Sequence, residues 1–500
     1  MATVSKGETS ANTNNIVALF VLIKAMNVTE LEKPERRANP QVDNYYGRRY
    51  ILWSGESSQH RPVMITQLKK QAKAADSVAT KAQAIFRLLL HDYHPRDFAV
   101  SFWDGSQWPS EDGTPRFTLM VRHPDALRRM LKTNRNDLSL SEAFISGDLD
   151  VEGEIEAAMP VANYLIGRTW PTFTLLRLGK NLLGMPRLER VPRKDRLPAE
   201  LSGELHSIER DRQAVTYHYD VSNDFYALWL DEQMVYSCAY FETTDEGLER
   251  AQARKLDYLC RKLRLRPGER LLDIGCGWGA LIMHAAQKYG VDALGITLSK
   301  NQATFANERI KRAGLQGKCR VEVRDYRDLN EVSGFEKIVS VGMFEHVGES
   351  QLPLYFQHVW RLLRKGGVFL NHGIANRAID PRPKGPTFIS RYVFPDGDLV
   401  PINATLRYAE EAGFEVRDVE SLREHYKLTL RHWTQRLESC REEALRVVEE
   451  STYRVWRLFL PGSAYAFGAG LLNIYQTLLI KPDEGRSGLP LTRADWYCDS

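Results

Sequence analysis

No two of the six cysteines, at positions 238, 260, 276, 319, 440 and 498, form a C-x-x-C pair or the spacing of a disulfide framework. That absence argues against a secreted, disulfide-stapled fold and against a structural zinc site, and it favours a reducing compartment. An excess of one charge is missing too. With 68 basic against 64 acidic side chains the formal net charge is +4, so no global field points to nucleic acid. Nor does any early apolar run reach across a bilayer. The longest, IVALFVLIKAM at 16–26, is interrupted by Lys24 and falls short of the roughly 20 residues a spanning helix needs. It also lacks the basic flank and small-residue cleavage site of a signal peptide. The expectation is a cytoplasmic protein of 500 residues, long enough for two or three domains.

What is present is organised in four stretches. Residues 1–63 are polar, rich in Asn and Ser, and carry no fold assignment; disorder is one reading of them. Residues 64–162 read as a small α+β domain, with QAIFRLLL and DALRRML as helices and FAVSFWDGSQW and FTLMVRH as strand-like runs. SEAFISGDLDVEGEIEAAM closes it with Gly-Asp turns. Residues 163–205 form a linker; within it, over 168–196, Trp170, Phe173, Leu175, Leu176, Leu182 and Leu183 mix with Arg168, Arg177, Lys180, Arg187, Arg190, Arg193, Lys194 and Arg196, opposed only by Glu189 and Asp195. Two readings stand for it. One is a solvated linker; the other is an interfacial segment on anionic lipid headgroups, where each Lys or Arg is worth about 1 kcal/mol.

From residue 206 to 500 short apolar strands alternate with helices, the pattern of an α/β, doubly wound parallel sheet. RLLDI, DALGIT, CRVEV, KIVSV and VFLNH are the strand candidates, and Gly290 and Gly314 close two of the helices between them. LLDIGCGWGA at 271–280 ends a strand and opens a helix, where such folds bind ligands. Its glycines at 275, 277 and 279 are spaced G-x-G-x-G, unlike the dinucleotide G-x-G-x-x-G, and Asp273 stands just before them. That pattern favours a nucleoside with an amino-acid tail, S-adenosylmethionine, whose ammonium a carboxylate can hold. The next strand ends in TLSKNQ without the acidic residue that would hold ribose hydroxyls, so Thr297, Leu298 and Gln302 are expected to line the adenosine pocket. Asp325 and Tyr326 in RDYRDL would close it, and Ser299 reads as a helix N-cap in the same loop. IVSVGMFEHVG at 338–348 ends a core strand in Glu345 and His346, a pairing open to a structural or a chemical role.

YHYDVSNDFYALWLDEQMVYSCAYF (217–241), LLDIGCGWGA, TLSKNQ, GMFEHVG (342–348), HGI (372–374) and HYKLTLRHW (425–433), taken in this order, resemble the cyclopropane-fatty-acyl-phospholipid synthase family. The likeness runs from about residue 206 to 482, with a weaker one from FTLMVRHPDALRRML through EGEIEAAM. It implies a Rossmann-like class I methyltransferase sheet with helical insertions, and methylene transfer from S-adenosylmethionine to a cis double bond of an unsaturated phospholipid acyl chain. It also implies bicarbonate as the base, held by Cys238, Glu345, His372, Ile374 and Tyr426, while His346 stays structural. Tyr219, Tyr236 and Ser237 would stand beside the cofactor, the two aromatic faces stabilising positive charge. A transient phospholipid surface on the inner face of the membrane is the expected partner, with no nucleic acid; a homodimer is left open.

Rivals remain on the sequence alone. The same site serves a methyl-branched or methylene product; a small-molecule or RNA methyltransferase and an inactive lipid-binding protein are more distant. SAYAFGAGLLNIYQTLLI at 463–480 is open between a fatty-acyl tunnel and a buried helix with a closing strand.

Overall fold

A computed structural model describes residues 78–131, 136–168, 170–186, 198–219, 221–330, 332, 334–380 and 385–497. The polar extension 1–63 and the basic residues Arg187, Arg190, Arg193, Lys194 and Arg196 lie outside the described residues. Two compact units are present.

In the first unit, residues 78–89 are helical, followed by strands β1 (Ala99–Phe102), β2 (Gln107–Trp108), β3 (Phe117–Val121) and β4 (Leu149–Gly153). They form a sheet in the order β2-β1-β3-β4, parallel only between β1 and β3. Phe86, Phe98, Phe102 and Phe117 are its buried centre, with Phe98 and Phe117 stacked at 4.8 Å. The helix Thr172–Leu183 buries Leu178 but leaves Phe173, Leu176 and Leu183 exposed, with Lys180 and Arg177 beside them.

The two units interleave along the chain, across the expected 64–162, 163–205 and 206–500 stretches. Among the described residues, 136–147 and 154–162 belong to the second unit, and 163–168 and 170–186 to the first. The physical reason is long-range pairing: Arg454 Nε donates to the Phe144 carbonyl at 2.6 Å, and Arg431 forms a two-pronged pair with Glu156, Nε to Oε2 at 2.7 Å and Nη2 to Oε1 at 2.7 Å.

The second unit is built on seven strands, β5 (Arg270–Ile274), β6 (Asp292–Thr297), β7 (Cys319–Val323), β8 (Phe335–Val341), β9 (Leu363–Asn376), β10 (Glu415–Ser421) and β11 (Leu472–Ile480). Their order is β10-β11-β9-β8-β5-β6-β7. The five strands from β5 to β9 are parallel, but β11 runs antiparallel to both β9 and β10, so the sheet is mixed. Alternation along β5 shows why both faces are covered. Leu271 packs with Leu256, Leu259, Ile282 and Ala285 of one helical layer, while Leu272 packs with Tyr355, Phe356 and Val359 of the other. The 463–480 stretch is the end of the helix Glu450–Gly468 followed by β11. Among the described residues no helix is long and apolar enough to cross a membrane.

Candidate active site

The glycine loop opens the site at the end of β5. Gly275 and Gly277 both have positive φ, +85° and +53°, which glycine adopts without steric cost. A Cβ at Gly275 would lie 2.6 Å from the Met343 Cβ, so this glycine permits close packing inside the protein. A Cβ at Gly277 would meet nothing within 4 Å, because the position faces open space in the cleft. Gly279 caps the helix Ala280–Tyr289 and a Cβ there would press on Ala306 at 3.1 Å.

The cleft above this loop is lined by Tyr219, Tyr236, Ser237, Asp273, Gly275, Gly277, Thr297, Leu298, Gln302, Asp325 and Tyr326. Gly279, also expected at the cofactor, is not among its walls. Asp273 is buried, and its Oδ1 has no hydrogen-bond partner in the protein. Burial pushes its carboxyl up to about 7, against the pull of Lys255. A buried acceptor without a donor at a cleft wall fits the ammonium of an amino-acid tail. At the end of β6, Gln302 Oε1 accepts from the Thr297 hydroxyl at 2.7 Å, and Ser299 caps the next helix by accepting from the Gln302 N–H at 3.2 Å. Asp325 is spent differently: both its oxygens accept from Arg327, at 2.8 and 2.7 Å, so it fixes the loop instead of offering a free carboxylate. Trp278 is held by its indole N–H, which donates to Asn223 Oδ1 at 2.8 Å.

Beside the cleft lies a second, drier constellation. After β8 the chain turns at Gly342, φ +69°, into a single 3-10 turn Phe344–His346. That turn carries Glu345 across to β9, where its Oε1 accepts from the Ile374 N–H at 2.7 Å. Oε2 is buried with no partner, and burial raises the carboxyl to about 7. His372, two residues before Ile374 on β9, is fully buried; its Nε2 also has no partner. Cys238 is fully buried, with its Sγ 3.3 Å from its neighbour's carbonyl, and burial holds its thiol far above the ordinary range. Burial raises the Tyr426 hydroxyl as well, and Cys238, Glu345 and Tyr219 add to that, so the four groups feel one another. His346 borders the cleft with its ring centre 6.4 Å from Tyr219, and burial lowers it to about 4, a neutral imidazole.

A row of aromatic rings runs from the cleft to Tyr426. Tyr236 lies 6.2 Å from Tyr219 and 5.2 Å from Trp433, and Trp433 lies 6.1 Å from Tyr426, all between ring centres. The cleft can hold a nucleoside with a charged tail.

Residues 206–477, more than half of the 500, match the family described as mycolic acid cyclopropane synthetase. The chain belongs to that family. A probable fatty acid methyltransferase of Pseudomonas putida is 43% identical over 402 residues, covering 80% of this chain and 95% of the relative. The cyclopropane-fatty-acyl-phospholipid synthase of Escherichia coli is 38% identical over 276 residues, 55% of this chain and 69% of that one. Among solved structures, the mycolic acid cyclopropane synthase CmaA1 complexed with SAH and CTAB is 36% identical with a TM-score of 0.51, covering 54% of this chain and 97% of that one. Residues 85–164 match a domain of unknown function. This member of the cyclopropane synthetase family is therefore an S-adenosylmethionine-dependent methyltransferase with the class I fold.

Three buried polar residues, one at the cleft and two near it, escaped the sequence reading. Lys255 borders the cleft, is 1% exposed, and donates from Nζ to the Ser237 hydroxyl at 2.8 Å. Burial lowers its ammonium to about 8, resisted by Asp231, Cys238 and Asp273. Lys262, one helical face further along, and Gln476 on β11 are equally enclosed. The only signal was the spacing of seven between the two lysines, which puts them on one side of the helix Leu248–Leu263.

Proposed function

We propose that this protein transfers a methylene group from S-adenosylmethionine to a cis double bond in a phospholipid acyl chain, as a cyclopropane-fatty-acyl-phospholipid synthase. The observation that carries the reading is the pair of buried, partnerless polar atoms, Glu345 Oε2 and His372 Nε2, on residues that come together at β9, where Glu345 accepts from the Ile374 N–H two residues beyond His372. Buried polar atoms are normally paired, so two such atoms on residues joined at β9 ask for a small polar ligand, and the pocket for it is proposed between them. Bicarbonate fits: its hydroxyl can donate to Glu345 and its oxygens can accept from His372 and Tyr426. Glu345, held near neutrality by burial, avoids the full repulsion of a charged carboxylate against an anion.

S-adenosylmethionine supplies an electrophilic methyl group when bound. An isolated alkene is a poor nucleophile, so the chain's first task is alignment, given by the glycine loop and Asp273 at one end and the loop from Thr297 to Gln302 at the other. Its second task is to keep water from a cationic acyl chain. Tyr219, Tyr236, Trp433 and Tyr426 surround that region with aromatic faces, which exclude water and stabilise positive charge. Its third task is to orient the base that takes a proton from the added carbon, the role read for Cys238, Glu345, His372, Ile374 and Tyr426. A second reading keeps the site and changes the product to a methyl-branched chain; the 95% coverage of the Pseudomonas putida relative, a probable fatty acid methyltransferase, favours keeping it. Expression in a host that lacks cyclopropane lipids, followed by lipid mass spectrometry, separates the two. Cyclopropane acyl chains on phospholipid support the synthase; methyl-branched chains alone replace it, and unaltered lipids overturn both.

Cofactor affinity is expected to depend on pH through Asp273. A carboxyl held at about 7 is partly protonated at neutrality, and gripping an ammonium requires its ionised form. Binding should then release a proton, and affinity should fall by up to about tenfold for each pH unit below 7. Calorimetry in buffers of different ionisation enthalpy measures both effects, and Asp273→Asn should remove the proton release. No proton release in the parent would place the ammonium elsewhere.

The lipid surface is read onto the helix Thr172–Leu183, whose exposed Phe173, Leu176 and Leu183 stand among Arg177 and Lys180. Anionic vesicles should co-sediment the protein in a salt-sensitive manner, because exposed charges are screened over about 10 Å at 0.1 M salt. Replacing Phe173, Leu176 and Leu183 by serine should release it. Recruitment that survives this change would move the contact to another face.

A further inference from the structure

A row of buried and half-buried polar groups lies beside His372 on the sheet, and methyl transfer as described above leaves it unused. Gln476 on β11 sits in register with Glu420 on β10 and with His372 on β9, so the three side chains share one face of the sheet. The helix Leu248–Leu263 covers that face and inserts Lys262, which is 0% exposed. Lys262 Nζ donates to Glu420 Oε2 at 2.5 Å and to Gln476 Oε1 at 2.9 Å, with Asp418 Oδ1 3.8 Å away. An ammonium has only donors, so the Gln476 amide must turn its oxygen to Lys262. Its nitrogen then faces His372 Nδ1, at 3.5 Å.

The consequence falls on the histidine. An NH₂ group can only donate, so Nδ1 is the acceptor. Burial holds the His372 imidazole neutral, and the nearby charges of Lys255 and Lys262 act in the same direction. A neutral ring that accepts at Nδ1 carries its hydrogen on Nε2. Nε2 is the atom that is buried without a protein partner.

We infer that Gln476, oriented by Lys262, is a positioning residue that keeps the proton of His372 on Nε2 and so presents a hydrogen-bond donor to a small anion between His372 and Glu345. The inference rests on the anion pocket proposed above. Were the row only a buried ion pair, with Gln476 filling space beside it, the histidine tautomer and the anion would be indifferent to Gln476.

The test is nitrogen-15 NMR of the full-length protein labelled at histidine, with the His372 signals assigned by their loss in His372→Asn. Across about pH 6 to 8 the parent is expected to show a bare Nδ1 and a protonated Nε2. Gln476→Met keeps the volume and removes the donor, so the Nδ1 and Nε2 shifts should move toward values averaged over two tautomers. Bicarbonate titration of the same samples should show affinity reduced by about tenfold, the effect of weakening one hydrogen bond to a charged group. S-adenosylmethionine affinity should stay within about twofold, because Gln476 is not a wall of the cleft. A parent ring with its proton on Nδ1 overturns the inference, and so does a Gln476→Met protein with unchanged shifts and unchanged bicarbonate affinity. If the shifts move as expected but the parent binds no bicarbonate, the anion reading falls and the hold of Gln476 on the tautomer stands.

Discussion

Glu345→Gln is expected to lower turnover by about 10² or more while cofactor affinity stays within about twofold, the scale of lost general-base assistance. The side chain's two oxygens have different duties. Oε1 accepts from the Ile374 N–H, and the amide oxygen of glutamine can keep that bond at the same 2.7 Å. Oε2 has no protein partner, so its replacement by NH₂ removes no bond of the fold. What the change removes is a buried acceptor without a protein partner and a carboxyl that burial pushes up to about 7. Excess bicarbonate should restore part of the rate, since weakened occupancy responds to mass action.

Stability should move the other way, which separates this reading from a purely structural one. The folded-state value of Glu345 is raised, from 4.5 to about 7, so the fold favours the protonated form. That stabilisation is complete below 4.5 and is lost as pH rises through about 7, an amount on the order of 3 kcal/mol for a fully buried group. Glutamine does not ionise and forfeits nothing. The melting temperature of Glu345→Gln should therefore rise relative to the parent as pH goes from about 5 to 8. A variant that is less stable at every pH and fully active would make Glu345 a strand-end cap and end its assignment to the pocket.

The motifs that could be read from the sequence are those carried by contiguous chain. The glycine loop, TLSKNQ and GMFEHVG each hold their chemistry within ten residues, at strand ends where the fold class alone says a ligand sits. The five parallel strands were readable for the same reason, as short apolar runs between helices. Strand β10, EVRDVES, was not, because its charged residues find burial and partners only once β11 and Lys262 lie beside it. Lys255 and Lys262 were invisible for a related cause. A lysine in an amphipathic helix is nearly always exposed, and only the Ser237 hydroxyl, Glu420 and Gln476, all remote in sequence, make these two exceptions. The interleaving of the two units along the chain was not legible either, because Arg431 and Arg454 pair with residues 275 and 310 positions away.

Gly277→Phe is expected to abolish binding of S-adenosylmethionine, more than a hundredfold in affinity, with the fold retained. Two neighbouring glycines give opposite expectations, which makes the pair a sharp test. At Gly275 even one added carbon would lie 2.6 Å from Met343 Cβ, so Gly275→Ala should cost stability first and binding second. At Gly277 the added carbon touches no protein atom within 4 Å, so the side chain has to stand in the cleft where the ligand would lie. The backbone cost is modest: φ of +53° belongs to the left-handed region, worth roughly 1–2 kcal/mol against a residue with a Cβ. A protein of ordinary stability survives that. The ligand does not, because overlap with a rigid ring cannot be relieved while the loop is pinned by the Gly275 and Cys276 N–H groups, which donate to the Ile296 carbonyl at 2.9 and 3.0 Å. Gly277→Ala should fall between, weakening affinity by about tenfold, or 1.4 kcal/mol. Calorimetry with S-adenosylmethionine and a thermal melt on each variant decide it. If Gly277→Phe binds the cofactor as the parent does, the ligand lies away from this loop and the cleft has been assigned to the wrong molecule.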